Sequence, residues 1–277
     1  MQLELPWELG PADGRYVLRG HAGEPEHVLV LQTVAAHPRR SRLRGRRARR
    51  AAPVPETTTV PVTRATLIGA VPVGDADTAA AWLAAADLTR EVRSAVEVLN
   101  TVLHAERIVR ADPFVREVAP EQALALRVGI GRGEQVAEGE WTEARSLPPL
   151  ATARPKRTRA LRPQERFAAL LGGRDVALAS EELTLRARLD LDRGRTREAA
   201  LQLRVALEAA LAELQAWSHR EDLAARLDEL RAERGAVGAA ANRALEGGLD
   251  EAQVADVARV VGRLEAALAA RVAGGLE

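Results

Sequence analysis

Arginine is the residue whose type and spacing offer chemistry in this chain. Arg39, Arg40, Arg42, Arg44, Arg46, Arg47, Arg49 and Arg50 crowd one segment, and Arg154, Lys156, Arg157, Arg159 and Arg162 form a second. Clustered cations bind phosphate backbones because contact releases condensed counterions. Neither run contains an aromatic residue, so base stacking is missing and only phosphate contact is predicted. The chain carries a net charge of +1, so the thirteen positive charges in the two runs leave −12 on the remainder. Two basic segments thus sit on an otherwise acidic protein. The competing reading is a solvated loop, or one folded back on that acidic surface. Lys156 is the only lysine, so the choice of arginine reflects overall composition more than special guanidinium chemistry.

Other reactive groups are sparse. Cysteine is absent, which removes disulfides, thiolate nucleophiles and Cys-ligated metal sites. His21, His27 and His37 are spaced too irregularly for one helix or strand face, and no acidic pair accompanies them. His104 falls on a helical stretch, where a surface histidine is the commoner explanation. Glu181-Glu182 and Asp190-Leu191-Asp192 read as charged helix faces, not as carboxylates converging on a substrate. Gly129-Ile130-Gly131-Arg132-Gly133 has the look of a phosphate loop, but Glu134 stands where a third glycine belongs and no helix pattern follows, so a hairpin turn is expected. No catalytic residue, metal ligand or cofactor site is assigned.

These residues must be positioned by two dissimilar halves. Arg15–Arg19, His27–Val34 and Val60–Ile68 read as strands, rich in β-branched and apolar residues between Gly and Pro punctuation. Residues 37–56 hold three prolines and the first arginine run with almost nothing apolar to bury, and are read as a disordered basic loop. Asp75 supplies a cap for a long helical stretch in which Leu88, Val92, Ala95, Leu99, Val102 and Leu103 share a face, with a restart at Asp87. Leu124, Leu126, Val128 and Ile130 then alternate as a strand, and Gln135–Thr142 is expected to return as its partner. The prediction for residues 1–147 is one antiparallel sheet with one long helix, β-β-β-α-β-β. Residues 148–162 read as a Pro/Arg linker. Residues 163–277 read as an all-α domain with helices at 164–171, 175–192, 196–216, 219–233, 237–246 and 250–272. The fold class is α+β.

One local pattern is specific. In Gly194-Arg195-Thr196-Arg197-Glu198-Ala199-Ala200-Leu201-Gln202-Leu203-Arg204-Val205-Ala206-Leu207, a glycine turn precedes small residues at Ala199 and Ala206 and a large apolar residue at Leu203. This resembles the turn and second helix of a tetratricopeptide unit, whose small residues let two helices approach closely. The preceding helix departs from that family: Leu183 stands for a tryptophan, and Asp190 sits where an aromatic is usual. No second copy follows, although a solenoid needs about three repeats to bury a continuous core. The resemblance implies protein–protein contact.

Function is therefore ranked by class. The leading expectation is a non-enzymatic cytosolic interaction protein, an adaptor or scaffold, whose helical half docks another protein while the α+β half offers a second surface or a homo-oligomer contact. The alternative is a nucleic-acid-associated protein using the two basic runs. The first residues are acidic and broken by Pro6, unlike a signal peptide, and no apolar run is long enough to span a membrane, so a cytoplasmic location without membrane contact is expected.

Overall fold

The computed structural model describes residues 1–20, 22–35, 61–148, 150 and 157–273, the side chains of Ala35 and 157–163 excepted. The class is α+β: an antiparallel sheet of six strands comes first and a helical region follows. The chain divides into two compact units, Met1–Ala153 and Arg154–Glu277.

In the first unit the strands are β1 (Gln2–Leu5), β2 (Gly14–Arg19), β3 (Pro25–Ala35), β4 (Pro61–Gly69), β5 (Ala125–Ile130) and β6 (Glu143–Leu147), arranged β2-β3-β4-β1-β5-β6. The sheet holds one strand more than the sequence reading gives, and that strand, β1, lies at its centre. Gln2 pairs with Thr66 on one side and Arg127 on the other. Leu3 and Leu5 of β1, Leu29 and Leu31 of β3, Ala65 and Leu67 of β4, and Leu126 and Val128 of β5 form one buried core. Period-two alternation puts these residues on the same face of the sheet. Against that face lie α1 (Ala76–Ala85) and α2 (Leu88–Arg110), in place of one continuous helix. Asp75 caps α1 by accepting from the Thr78 amide, and Asp87 caps α2 by accepting from Thr89 and Arg90. Each cap contributes about 1 kcal/mol, which favours two helix starts over one kinked helix. Val92, Val96, Leu99 and Leu103 form the buried stripe of α2. Asn100 interrupts it, yet its side chain donates to the Val118 carbonyl and accepts from the Val118 amide, so the buried amide is satisfied.

The return from β5 also departs from expectation. Residues 131–142 are a connection containing a 3-10 turn at Gly133–Glu138, and the partner strand begins only at Glu143. Val136 and Ala137 are buried because this connection folds over the polar face of the sheet. There Gln2 donates to Thr66 Oγ1 at 3.0 Å and reaches the Val136 and Ala137 carbonyls, while Gln32 donates to Glu138. An apolar pair that reads as strand is thus a lid on the second face.

The second unit is a bundle of α3 (Arg157–Leu171), α4 (Ala179–Asp192), α5 (Thr196–Glu213), α6 (Glu221–Ala232), α7 (Arg234–Glu246) and α8 (Glu251–Ala273). The helix α3 starts within the stretch read as linker, because Arg157-Thr158-Arg159-Ala160-Leu161-Arg162 are mostly good helix formers and Pro163 does not end the turn. At the centre runs α5, with Leu203, Leu207 and Leu211, and Leu214 just past its end, buried against Leu223, Leu227 and Leu230 of α6 and against Val257, Val260, Val261 and Leu264 of α8. Ala187, Ala199, Ala200, Ala206 and Ala210 are all fully buried, and these small side chains keep α4 close to α5. Gly194 makes the intervening turn at φ 70°, a left-handed conformation that suits glycine.

Candidate functional site

Among the described residues, the most concentrated polar chemistry lies in the helical unit. Arg166 of α3 donates to Asp175 at 3.1 Å and to both oxygens of Glu181 at 2.6 and 2.8 Å. Arg271 of α8 donates to Asp175 at 2.5 Å, lies 3.8 Å from Glu181, and stacks over the Trp217 ring at 4.9 Å from its centre. The Arg271 side chain is only 6% exposed, so this guanidinium is a buried cation held by two carboxylates and one aromatic face. Burial alone would raise the Asp175 carboxyl, but bonds from Arg166, the Val176 amide and Arg271 outweigh it and hold the group below the usual carboxylate range. Glu181 also accepts from the Leu178 amide, and Glu213 of α5 accepts from the Ala179 and Ser180 amides, so two carboxylates satisfy the first turn of α4. Each carboxylate in the cluster is engaged by an arginine or by a helix end, although Arg271 Nη1 is buried without a hydrogen-bond partner, and the arrangement is that of a clasp joining α3, α4 and α8.

A second clasp joins α8 to the junction of α6 and α7. Glu233 accepts from Arg259 at 2.5 and 3.1 Å and pairs with Arg263, and the Arg259 bond chiefly holds its carboxyl below the usual range. Arg188 of α4 meets Glu265 of α8 through two bonds of 2.9 and 2.8 Å, so one face of α4 is covered by α8. An adjoining side of α4 is open. Leu185 is 63% and Leu189 44% exposed, one helical turn apart on α4, with Glu182 exposed beside them. Phe167 and Leu171, likewise one turn apart on α3, are 63% and 74% exposed.

The residues singled out from the sequence are distributed as follows. Arg39, Arg40, Arg42, Arg44, Arg46, Arg47, Arg49, Arg50, Arg154 and Lys156 lie outside the described residues, as do His21 and His37. Arg157, Arg159 and Arg162 belong to the first turns of α3. His27 lies on β3, opposite Leu18 of β2 and Gly69 of β4, and His104 lies on α2, far apart in the chain and on different elements. Glu181 and Asp190 are not simply solvated helix faces, since Glu181 joins the Arg166 clasp and Asp190 pairs with Arg195 at 2.8 Å. Gly131 and Gly133 serve the turn after β5: a Cβ at Gly131 would meet Val136 at 2.3 Å, and Gly133 has φ 54°. Among the described residues no group of three or more His, Asp or Glu side chains is placed to hold a metal ion, and no helix is long and apolar enough to cross a membrane.

Sequence reasoning missed Arg271, although a signal exists. Val257, Val260, Val261, Leu264 and Leu268 follow the buried stripe of α8, and Arg271 takes its next position. A cation in an apolar register demands a partner. The partners, Asp175 and Glu181, are some ninety residues away and give no local sign.

Comparison with protein-family models, with curated proteins and with solved structures yields no match to this chain.

Proposed function

We propose that this chain is a non-enzymatic interaction protein whose helical unit docks another protein on the open face of α4. One observation carries the reading: Leu185 and Leu189 form an exposed apolar row on a bundle most of whose other leucines, Leu171 and Leu245 excepted, are buried or half-buried. Exposed apolar rows bordered by charge are a common mark of protein-binding surfaces. The tetratricopeptide-like turn and helix, with alanines fully buried between α4 and α5, agree with it, because such pairs present rigid helical faces to extended or helical peptides. A photo-crosslinking amino acid placed at Leu185 should trap a defined partner in cells, and the same probe at exposed Arg226 on α6 should not. Adding Leu189→Glu to the Leu185 probe should abolish that adduct. Equal trapping at both positions would remove the assignment.

A second reading has its own observation. In the sheet register Ala35 pairs with Pro61, Thr33 with Thr63, Leu5 with Thr63 and Leu126 with Leu147. The chain therefore leaves β3 and β6 at the same end of the sheet. Two basic runs that follow strands ending on one side would suit a polyanion. The test is a salt titration of nucleic-acid affinity: replacing Arg42, Arg44, Arg46 and Arg47 with Gln should flatten the slope of log affinity against log salt by up to about 0.9 per lost phosphate contact on duplex DNA. Submicromolar, salt-sensitive binding at physiological salt that these changes abolish would place this reading first.

A further inference from the structure

An amphipathic helix in a bundle turns its apolar side inward. The later turns of α3 do the reverse. Arg166 reaches into the bundle to meet Asp175 and Glu181, and Ala169 and Leu170, three and four residues on, are buried and half-buried on the same side. Gln164, Phe167, Ala168 and Leu171 are exposed, and their spacing places them in one row along the outer side. The helix is therefore held chiefly through Arg166, Ala169 and Leu170, while a phenylalanine and a leucine stand in solvent.

The same helix is basic. Arg157, Arg159 and Arg162 fall in its first two turns, Glu165 is its one carboxylate, and Arg166 is already engaged in the clasp. A helix of low mean hydropathy with a strong apolar side and several cations has the composition of one that lies in the plane of a bilayer, at the boundary of headgroups and acyl chains.

The pairing of the two features selects the partner. Contact with nucleic-acid phosphates uses the cations and leaves Phe167 and Leu171 in water. An apolar protein groove covers those two residues and gives the cations nothing. An anionic bilayer serves both, since its headgroups attract arginine and its acyl chains take up the apolar row. No described helix is long and apolar enough to cross a membrane, and lying on one requires no such length.

We propose that α3 docks on anionic phospholipid surfaces, with Phe167 and Leu171 entering the acyl boundary and the charge of Arg157, Arg159 and Arg162 drawn to the headgroups. The site is confined to α3 and does not rest on the α4 docking face.

The test is flotation of the full chain with vesicles of equal parts phosphatidylcholine and phosphatidylserine, beside vesicles of phosphatidylcholine alone. Binding to the mixed vesicles is expected, at least about tenfold tighter than to the neutral ones. Arg159→Gln with Arg162→Gln should weaken it roughly 20-fold, because each cation near an anionic surface accounts for about fivefold. Phe167→Ser with Leu171→Ser keeps every charge and changes only exposed positions, so it should weaken binding at least about tenfold and leave the melting temperature unchanged. The absence of cysteine allows a second readout: a polarity-sensitive dye on Ala168→Cys should shift to the blue with mixed vesicles, and should not with duplex DNA. The same dye on Arg226→Cys of α6 should show no shift with either. Should the serine pair fail to fold, the dye at position 168 decides. Absence of flotation, equal flotation with both vesicle types, binding retained by the serine pair, or an unshifted dye at position 168 would overturn the proposal.

Discussion

At Arg271 two effects oppose one another: burying a guanidinium is costly, and its pairs with Asp175 and Glu181 offset the cost only while all three are present. Arg271→Ala should therefore lower the stability of the helical unit by about 3 kcal/mol, measured by urea denaturation followed by circular dichroism. Arg271→Met, which keeps much of the packing on Trp217 but no charge, should cost about as much, because Asp175 and Glu181 still lose their shared cation. A clearly smaller loss in Met would assign the role to packing instead. The carboxylates predict a pH response as well. Asp175 and Glu233 are held below their ordinary range in the folded state, so the unfolded chain takes up protons first as pH falls. Their contribution is fully present above the unfolded carboxylate range and is lost as pH falls through the lowered folded values. Melting temperature should thus decline on acidification below about pH 5, and Asp175→Asn should make that decline shallower. An unchanged acid slope in that variant would separate Asp175 from the response.

Among the elements, the α4–α5 hairpin is the most sensitive to side-chain size. Ala199 and Ala206 have no exposed surface and lie where α5 meets its neighbours, so Ala199→Leu should overpack the bundle and cost about 1–3 kcal/mol in the same denaturation measurement. Leu203→Ala at the same core should cost about 2–5 kcal/mol by leaving a cavity. These helices were legible because their signal is local: glycine turns, small residues and apolar positions recur within each segment. The capping residues Asp75 and Asp87 were legible for the same reason, and the structure places both at helix starts. By contrast, Gln2-Leu3-Glu4-Leu5 is too short to carry a pattern, and its strand character comes from Thr63–Thr66 and Ala125–Arg127 on either side. The polar strand Glu143-Ala144-Arg145-Ser146-Leu147 was invisible because an exposed edge strand needs no apolar face, whereas apolar Val136-Ala137 drew the strand prediction to a 3-10 turn. The open row of Leu185 and Leu189 could not be told from a buried stripe, since sequence spacing marks a helix face but not what covers it.

On the scale of the whole molecule, each unit has its own continuous buried core. A fragment of residues 154–277 should consequently be strongly helical and melt cooperatively, which circular dichroism would show; a broad, non-cooperative melt would mean that the bundle needs the first unit. The central position of β1 also sets a schedule for synthesis. Its two ladders join it to residues 63–66 and to 125–127, so this strand acquires its second neighbour only after more than a hundred further residues have been made. Until then Leu3 and Leu5 have half a sheet to pack on, and the nascent chain must wait, with loop-closure entropy opposing the final join. Translation slowed just after the codons for β5 would give that join time to form. Translation slowed earlier would hold an open strand edge before the rest of the cell.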